Sequence, residues 1–532
     1  MSKRRIDDGD QTSPYERSAK RVRPNKVDRL SSLSDELLLR TLSFLRTSDL
    51  VVCERLSRRL KLMASDGQIW KAHYYDRFVR PRASRIPGIK SQRDSAGSLF
   101  YSSRISRWLN DEKLVQEGAL TDWKRQYKLR HNWSRGSAHI TETEVAERPS
   151  SPPLLVRLHG DIMFIADDQH GLRAFSMKGK CRLLATYPPT SSAGPTVMAV
   201  DSGPNAYGEV RLAVGFLDGS FAVYALGKAK AAFSHCYTHP ASTMGSLSAV
   251  AFSFPYLLTM NQEPRLSLYI FDRDDETEKS SALKAPRLLS SLKSQTAYAP
   301  LSLSLRISNE VISASIAFTK PFYGSRWTVG VQELRLSTDG TMLGSRVASA
   351  GSGVQSNLQR LAPYQAAASH MLHVLSVPST RPASLSYNHP YLLTAHPNNT
   401  LTLYVVTSTN EDLIISPGTI LWGHSSSISV AHVGDRGKAV SISTKGNELR
   451  VWELEGRGPS TLRRRPPPEQ SSVRVFPSAD GAFSKQIPNL DLVEMGKTEE
   501  VAKGWITFDE EKVVLLQEKR HGAQAVVVYD FT

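Results

Sequence analysis

The sequence predicts two architectures in one chain: a small all-α module with a helical linker, then an all-β propeller, seven-bladed by count. Three observations lead there. Leucines at helical spacing gather between residues 30 and 75, where they can share helix faces. From about residue 137 short β-rich runs alternate with Gly, Pro, Asn and Asp turns, the pattern of sandwiches, barrels and propellers. One unit, a turn followed by a strand of alternating apolar residues, then recurs seven times, and repetition of this kind selects the propeller.

The 532 residues exceed one ordinary core, so more than one domain is expected. Hydrophobic residues at 40% and charged residues at 22% match a soluble globular protein. No apolar run approaches the ~18 residues of a membrane span, and the N-terminus lacks the apolar stretch of a secretory signal. A nuclear or cytoplasmic location is the expectation. Cys53, Cys181 and Cys236 form no CxxC pair and have no His at zinc-ligand spacing, so reduced thiols are expected. Asn132-Trp133-Ser134 and Asn398-Asn399-Thr400 fit the glycosylation pattern but are expected to stay unmodified in a chain that is not secreted.

The net charge of +16 is unevenly placed: residues 1–135 hold 30 Lys and Arg against 16 Asp and Glu, and the remainder holds 37 against 35. Residues 1–28 read as a disordered basic tail. Its clusters Lys3-Arg4-Arg5 and Lys20-Arg21-Val22-Arg23 fit nuclear import and a solvated tail equally.

Within 29–80 the spacing of Leu33, Leu37, Leu38, Leu42 and Leu45 predicts a helix, with Ser34 at its N-cap and Asp35 and Glu36 in the first turn. Ser48-Asp49 is read as opening a second helix along Val52, Leu56 and Leu60. A third is expected to carry Ile69, Trp70, His73 and Tyr74. So small a module encloses little apolar surface and calls for a partner or neighbour. Residues 81–136 read as a loop and helical linker, with helices over Ser98–Leu109 and Thr121–Trp133 that would bridge the module to the rest.

The seven repeated strands are GLRAFSM (171–177), GSFAVYAL (219–226), RLSLYIF (265–271), WTVGVQELRL (327–336), TLTLYVV (400–406), ELRVWEL (448–454) and QAVVVYDF (524–531). Each follows a second readable strand: DIMFIAD, EVRLAVG, YLLTMN, VISASIAF, YLLTAH, AVSIST and KVVLLQ. Six or eight blades remain compatible with this count. QAVVVYDF ends one residue before the last, so AHITETEV (138–145) is expected to supply the missing outer strand and close the ring over 137–532. The stretches 273–297, 338–383 and 455–503, rich in Ser, Pro, Gly and charge, read as loops or disordered inserts. Arg463-Arg464-Arg465 falls in one of them and reads as a solvated loop.

Residues 422–454 run from Gly423-His424 to Val451-Trp452, with Glu453 where Asp is usual, and resemble a WD repeat. Phe271-Asp272 and Tyr529-Asp530 are looser versions. Leu33, Glu36-Leu37, Leu42-Ser43-Phe44-Leu45, Asp49-Leu50, Leu56-Ser57-Arg58, Asp66 and Ile69-Trp70 resemble the F-box family, Ser34 standing where that family has Pro. The joint resemblance, to F-box proteins with a degenerate WD-repeat propeller, implies the substrate-recognition subunit of an SCF-type (Skp-cullin-F-box) ubiquitin ligase. It implies that Leu33, Ser34, Leu37, Leu42, Leu45 and Leu50 face the Skp-type adaptor, and through it cullin, while Leu56 and Trp70 hold the helices together. The propeller would present a protein substrate whose identity is not readable. Recognition would lie on the face that carries 352–383 and 478–503.

No Walker A loop, HExxH, GxSxG or zinc-ligand cluster is present. No catalytic residue, cofactor or metal is expected. His424 reads as a tie between strands, and Asp167-Asp168 and Asp274-Asp275 as turn residues. The alternative is a nuclear scaffold whose helices bind another protein and whose basic front touches nucleic acid; membrane contact is not expected.

Overall fold

The computed structural model describes residues 30, 32–80, 121–179, 181–189, 193–201, 209–227, 231–272, 283–293, 298–307, 311–322, 326–338, 340–350, 380–409, 411–434, 437–454, 472–477, 500–519 and 522–532. The tail 1–28, the stretch Ser98–Leu109, Asp274-Asp275 and Arg463-Arg464-Arg465 lie outside them. The chain forms two compact units, one of residues 1–77 with 122–124 and one of 78–121 with 125–532.

The first unit contains helices α1 (Asp35–Leu42), α2 (Thr47–Cys53), α3 (Arg58–Ala64) and α4 (Gly67–Tyr74), and the last runs into a π turn, Tyr75–Val79. Among the described residues of 29–80 there are four helices rather than three. The row Val52, Leu56, Leu60 does not share one helix face, because the chain leaves α2 at Cys53 and restarts at Ser57. Ser57 is extended, and its hydroxyl accepts Leu60 N–H at 3.1 Å, a capped start for α3. Asp66 caps α4 in the same manner by accepting Gln68 N–H. Ser34 occupies the N-cap position of α1 without a side-chain capping bond, and α2 begins at Thr47 rather than at Ser48-Asp49. Leu38, Leu42, Leu50, Leu60, Ile69, Trp70 and Tyr74 form the core of this unit. Trp123 and Lys124, the first residues of α5 (Trp123–Arg135), complete it: Trp123 packs against Tyr74 at 5.5 Å, and Lys124 pairs with Glu54 at 2.5 Å.

The second unit is a seven-bladed propeller. Blades one to six span 155–187, 195–239, 247–293, 298–349, 384–421 and 428–474, each an antiparallel meander in chain order, except that in blade five two short segments, Leu413–Ile415 and Thr419–Leu421, both pair with the third strand. Blade seven joins Glu500–Phe508, Lys512–Glu518 and Gln524–Asp530 to Ser137–Ala146, which pairs antiparallel with Gln524–Asp530 as the fourth strand. Innermost strands of neighbouring blades touch all round the ring, blade seven meeting blade one. All seven repeated strands read from the sequence are third strands, and the seven before them are second strands.

The stretches read as inserts hold strands of their own. Arg287–Lys293 and Met342–Ser349 are the outer strands of blades three and four, Ser472–Arg474 is that of blade six, and Glu500–Phe508 is the innermost strand of blade seven. An outer strand faces solvent on one edge and part of its surface, so its pattern is mixed, as RLLSSLK and MLGSRVAS illustrate.

An innermost strand presents an unpaired backbone edge, whose amides need partners once buried. Hydroxyls of the preceding blade supply them. Ser302 Oγ accepts Tyr387 N–H, Ser384 Oγ accepts Ala431 N–H and Ser386 Oγ accepts Val433 N–H, at 3.0–3.1 Å. Thr196 Oγ1 donates to Leu247 O at 2.7 Å. Within the same unit, α5 packs Leu129 and Trp133 into the core of blades six and seven. Trp133 stacks on Phe531 at 3.9 Å and donates from Nε1 to Glu510 O, and Asn132 donates to Phe531 O.

Candidate functional site

The first unit carries the candidate site. In α1 the residues one turn apart split into two rows. Leu38 and Leu42 point inward to Leu50 and Leu60, while Leu37 is 57% exposed. Beyond the helix end Phe44 is 74% exposed with the Arg40 guanidinium 5.0 Å from its ring. Val51 and Val52 on α2, Leu56 in the turn after it (66% exposed) and Leu62 on α3 are also exposed. Six large apolar side chains in water forgo on the order of 10 kcal/mol that burial would supply at ~1.5–3 kcal/mol each, and a surface of this kind marks an interaction site.

Two expected adaptor contacts are thereby corrected: Leu42, 2% exposed, and Leu50, fully buried, belong to the core, because α1 and α2 turn those rows toward α3. Leu56 is corrected in the opposite sense. The chain turn at Glu54–Leu56 frees it from any helix row and leaves it in solvent. Leu33 and Leu45 are half-buried and Ser34 and Leu37 exposed. The Arg59 guanidinium holds the entry to α1, donating to Leu33 O and to Asp35, both at 2.6 Å. Trp70 is buried, and its indole donates to Ala64 O at 2.8 Å. Sequence reasoning passed over Phe44, Val51, Val52 and Leu62 as contacts. The signal was available for Leu62, an apolar residue two positions from the inward Leu60.

In the propeller the conspicuous polar groups close on themselves. In blade six the His424 ring meets Ser441 Oγ at 2.6 Å, Trp452 Nε1 donates to the same oxygen at 2.7 Å, and Glu448 lies 3.5 Å from His424 Nδ1. His424 thus ties the entry of the blade to its second and third strands. Burial pulls its pKa down to about 4. Burial opposes ionisation of Glu448, but hydrogen bonds from Ser425 and Arg450 outweigh it and hold the carboxyl at about 2. In blade one Asp167 accepts its own turn amides and a bond from Arg173, whose other nitrogen donates to Val145 O in the closing strand at 2.8 Å. Among the described residues no group of three His, Cys, Asp or Glu is placed to hold a metal ion, and no helix is long and apolar enough to cross a membrane. The three cysteines are free thiols.

These groups give the propeller a pH dependence. Burial depresses His389, His396 and His424 to about 4. Between an unfolded-state pKa of ~6.5 and that value only the unfolded chain takes up the proton, so stability rises with pH across the window. Urea midpoints of the full chain should fall as pH drops from 6.5 to 4. Glu448 acts in the next window: its contribution, intact above ~4.3, is lost toward pH 2. A midpoint that stays flat from pH 7 to 4.5 would contradict neutral buried imidazoles.

An F-box-like helical module and a WD-type seven-bladed propeller define the class. The F-box-like family matches residues 30–76, and the family described as the F-box protein pof12 beta-propeller matches residues 138–532. The chain belongs to that pof12 propeller family. No curated protein matches it in sequence. Among solved structures it is similar to the β-propeller domain of Cps50 (Swd1) from Myceliophteria thermophila, at 11% identity and TM-score 0.39 over 74% of this chain and 100% of that one. It is also similar to the WD40 propeller domain of Doa1 (9%, TM-score 0.36, 73% and 95%). A third is Sqt1 of Chaetomium thermophilum, solved bound to the N-terminus of the ribosomal protein L10 (15%, TM-score 0.37, 70% and 82%).

Proposed function

We propose that this chain is a substrate receptor of an SCF-type ubiquitin ligase, non-catalytic itself, whose helical module binds a Skp-type adaptor and through it cullin, and whose propeller binds a protein substrate. The observation that carries this reading is the exposed apolar set Leu37, Phe44, Val51, Val52, Leu56 and Leu62 on the module matched as F-box-like. In the same module Leu33 and Leu45 are half-buried and Ser34 exposed, while Leu42 and Leu50 are buried. Such a receptor needs no reactive group. Tethering raises the substrate's local concentration near the charged enzyme, and a fixed orientation does the rest. A nuclear or cytoplasmic location accompanies this reading, to be checked with a fluorescent fusion.

Purified full chain should retain a Skp-type adaptor in a pull-down. Phe44→Glu with Leu56→Glu should weaken binding at least ~100-fold, as central apolar contacts do, without shifting the propeller's melting. Leu42→Asp should instead lower the stability of the module, since it buries a charge. Clean failure to bind, joined to salt-sensitive binding of nucleic acid, would favour the scaffold reading.

A further inference from the structure

We infer that one half of the propeller's upper face, across blades four to six, binds an acidic segment of the substrate: an extended stretch with spaced Asp or Glu side chains and an aromatic or apolar residue among them. The inference rests on the substrate-receptor reading. The upper face is the one bearing the second-to-third-strand turns and the blade-to-blade connections. The opposite face of blades six and seven is covered by α5 at Glu510 and Phe531.

Four cations of the described residues stand on that half, three of them oriented by hydrogen bonds to neutral oxygens. Lys320, near the end of the second strand of blade four, donates to Ser349 Oγ at 2.9 Å. Arg381, on the connection into blade five, donates twice to Ala299 O and lies 5.2 Å over the Trp327 ring. Arg474, at the end of blade six, donates to Asn447 O, and Lys445 is exposed in the same turn as that asparagine. Among the described residues the acceptors of Lys320, Arg381 and Arg474 are neutral oxygens. The carboxylate in that turn, Glu448, is 2% exposed and already engaged by Ser425 and Arg450. The corresponding turns of blades one to three carry Asp168, Asp218 and Glu263, the last 4.0 Å from Lys293; the difference between the two halves gives a field of the kind that steers and orients a charged ligand.

Aromatic surface accompanies the charge. Trp422, on the connection into blade six, is 62% exposed, and Trp327 packs edge-on to Tyr298 beneath Arg381. Trp and Arg are common anchors at interfaces. The spread of the cations over three blades selects carboxylates over phosphate. A phosphate dianion is held by several donors converging on one point, whereas these sites are separate, and an extended chain rising ~3.3 Å per residue reaches them in turn.

The test is fluorescence anisotropy of the full chain with a labelled peptide of about ten residues, alternating Glu with apolar residues and holding one Trp. Saturable binding that weakens with salt is expected. Lys320→Gln with Arg381→Gln, and separately Lys445→Gln with Arg474→Gln, should each reduce affinity at least ~10-fold, as loss of complementary charge does. Lys178→Gln, on the opposite face, should leave it unchanged. Lys445→Glu alone, at an exposed position, gives the same reading should the Arg381 variant fail to fold. Equal binding of the Gln-for-Glu peptide overturns the inference, as does preference for a phosphoserine peptide or for a single-stranded oligonucleotide of similar length. Adaptor binding by the same preparation separates the two readings. Adaptor retained with no peptide bound removes this inference alone; peptide bound with no adaptor retained removes the ligase reading and leaves the acidic-ligand site.

Discussion

Deleting Ser137–Ala146 is expected to abolish the single cooperative melting of the propeller and lower its midpoint by well over 10 °C, since each ~1 kcal/mol shifts a large domain by about 2–4 °C. The strand is the outer wall of blade seven. It pairs with Gln524–Asp530 from His139↔Asp530 to Ala146↔Gln524. Ala138, Val145 and Ala146 are buried, and Val145 packs with Val526 and Val528. Without it the third strand of blade seven becomes an open edge of apolar residues, which invites intermolecular pairing. Arg173 loses Val145 O, so blade one loosens as well. Together these amount to roughly 5 kcal/mol or more, at ~0.8 kcal/mol per buried methylene and ~1 kcal/mol per hydrogen bond. Differential scanning fluorimetry, with light scattering for aggregation, reads the result. An unchanged melting curve would mean that the ring is held by its inner strands alone.

The second large effect is expected at Glu333. Its side chain is almost wholly buried in the third strand of blade four, between Arg306 of the innermost strand at 2.9 Å and Arg346 of the outer strand at 2.7 Å. Ser408 of blade five donates to both carboxylate oxygens, at 3.1 and 2.8 Å. Burial disfavours the charge, but the hydrogen bonds of Ser408 and Arg346 and both guanidinium charges outweigh it, so the pKa lies below the ordinary glutamate range. Glu333→Gln leaves two guanidinium groups facing each other without their shared counter-ion. Breaking a buried pair from one side costs ~3–5 kcal/mol, and Arg306, the more exposed of the two, places the expectation at about 3. Urea unfolding of the variant measures it. Glu333→Met with Arg346→Met should recover much of the loss, because apolar replacement of a whole buried pair is often neutral. The depressed pKa makes this contribution complete above ~4.3, and acid removes it as pH falls below that value. A single-variant loss below ~1 kcal/mol, within the range of surface pairs, would show that the cluster is solvated.

Blade number and order were legible in the chain because second and third strands lie in the middle of each blade. They are buried on both faces, as the fully buried YLLTMN of blade three illustrates, and two-sided burial leaves a dense apolar signature in the sequence. The WD-like frame was legible at Gly423-His424 and Trp452, where the ring does tie strands together. Apart from the closing strand at 138–145, outer strands were not, since solvent on one edge relaxes the demand for alternation, and Met342–Ser349 passed for loop. The Glu333 cluster was beyond reach for another reason. Its members are separated by up to about a hundred residues: strand pairing within blade four brings Arg306 and Arg346 to the carboxylate, and the stacking of blade five on blade four adds Ser408.

The helical module divides in the same way. Leucine spacing was enough to reveal helices and a surface too large for so small a core, because periodicity is a local property. It could not say which row of leucines turns inward. That depends on where α2 ends and how α3 crosses: Ser57 caps a new helix, Leu42 and Leu50 lie in the core, and Leu56 falls in the turn between α2 and α3, in water. The existence of a small helical module is therefore written in the chain, whereas the residues it leaves exposed are set by packing between helices, a non-local balance that no single segment encodes.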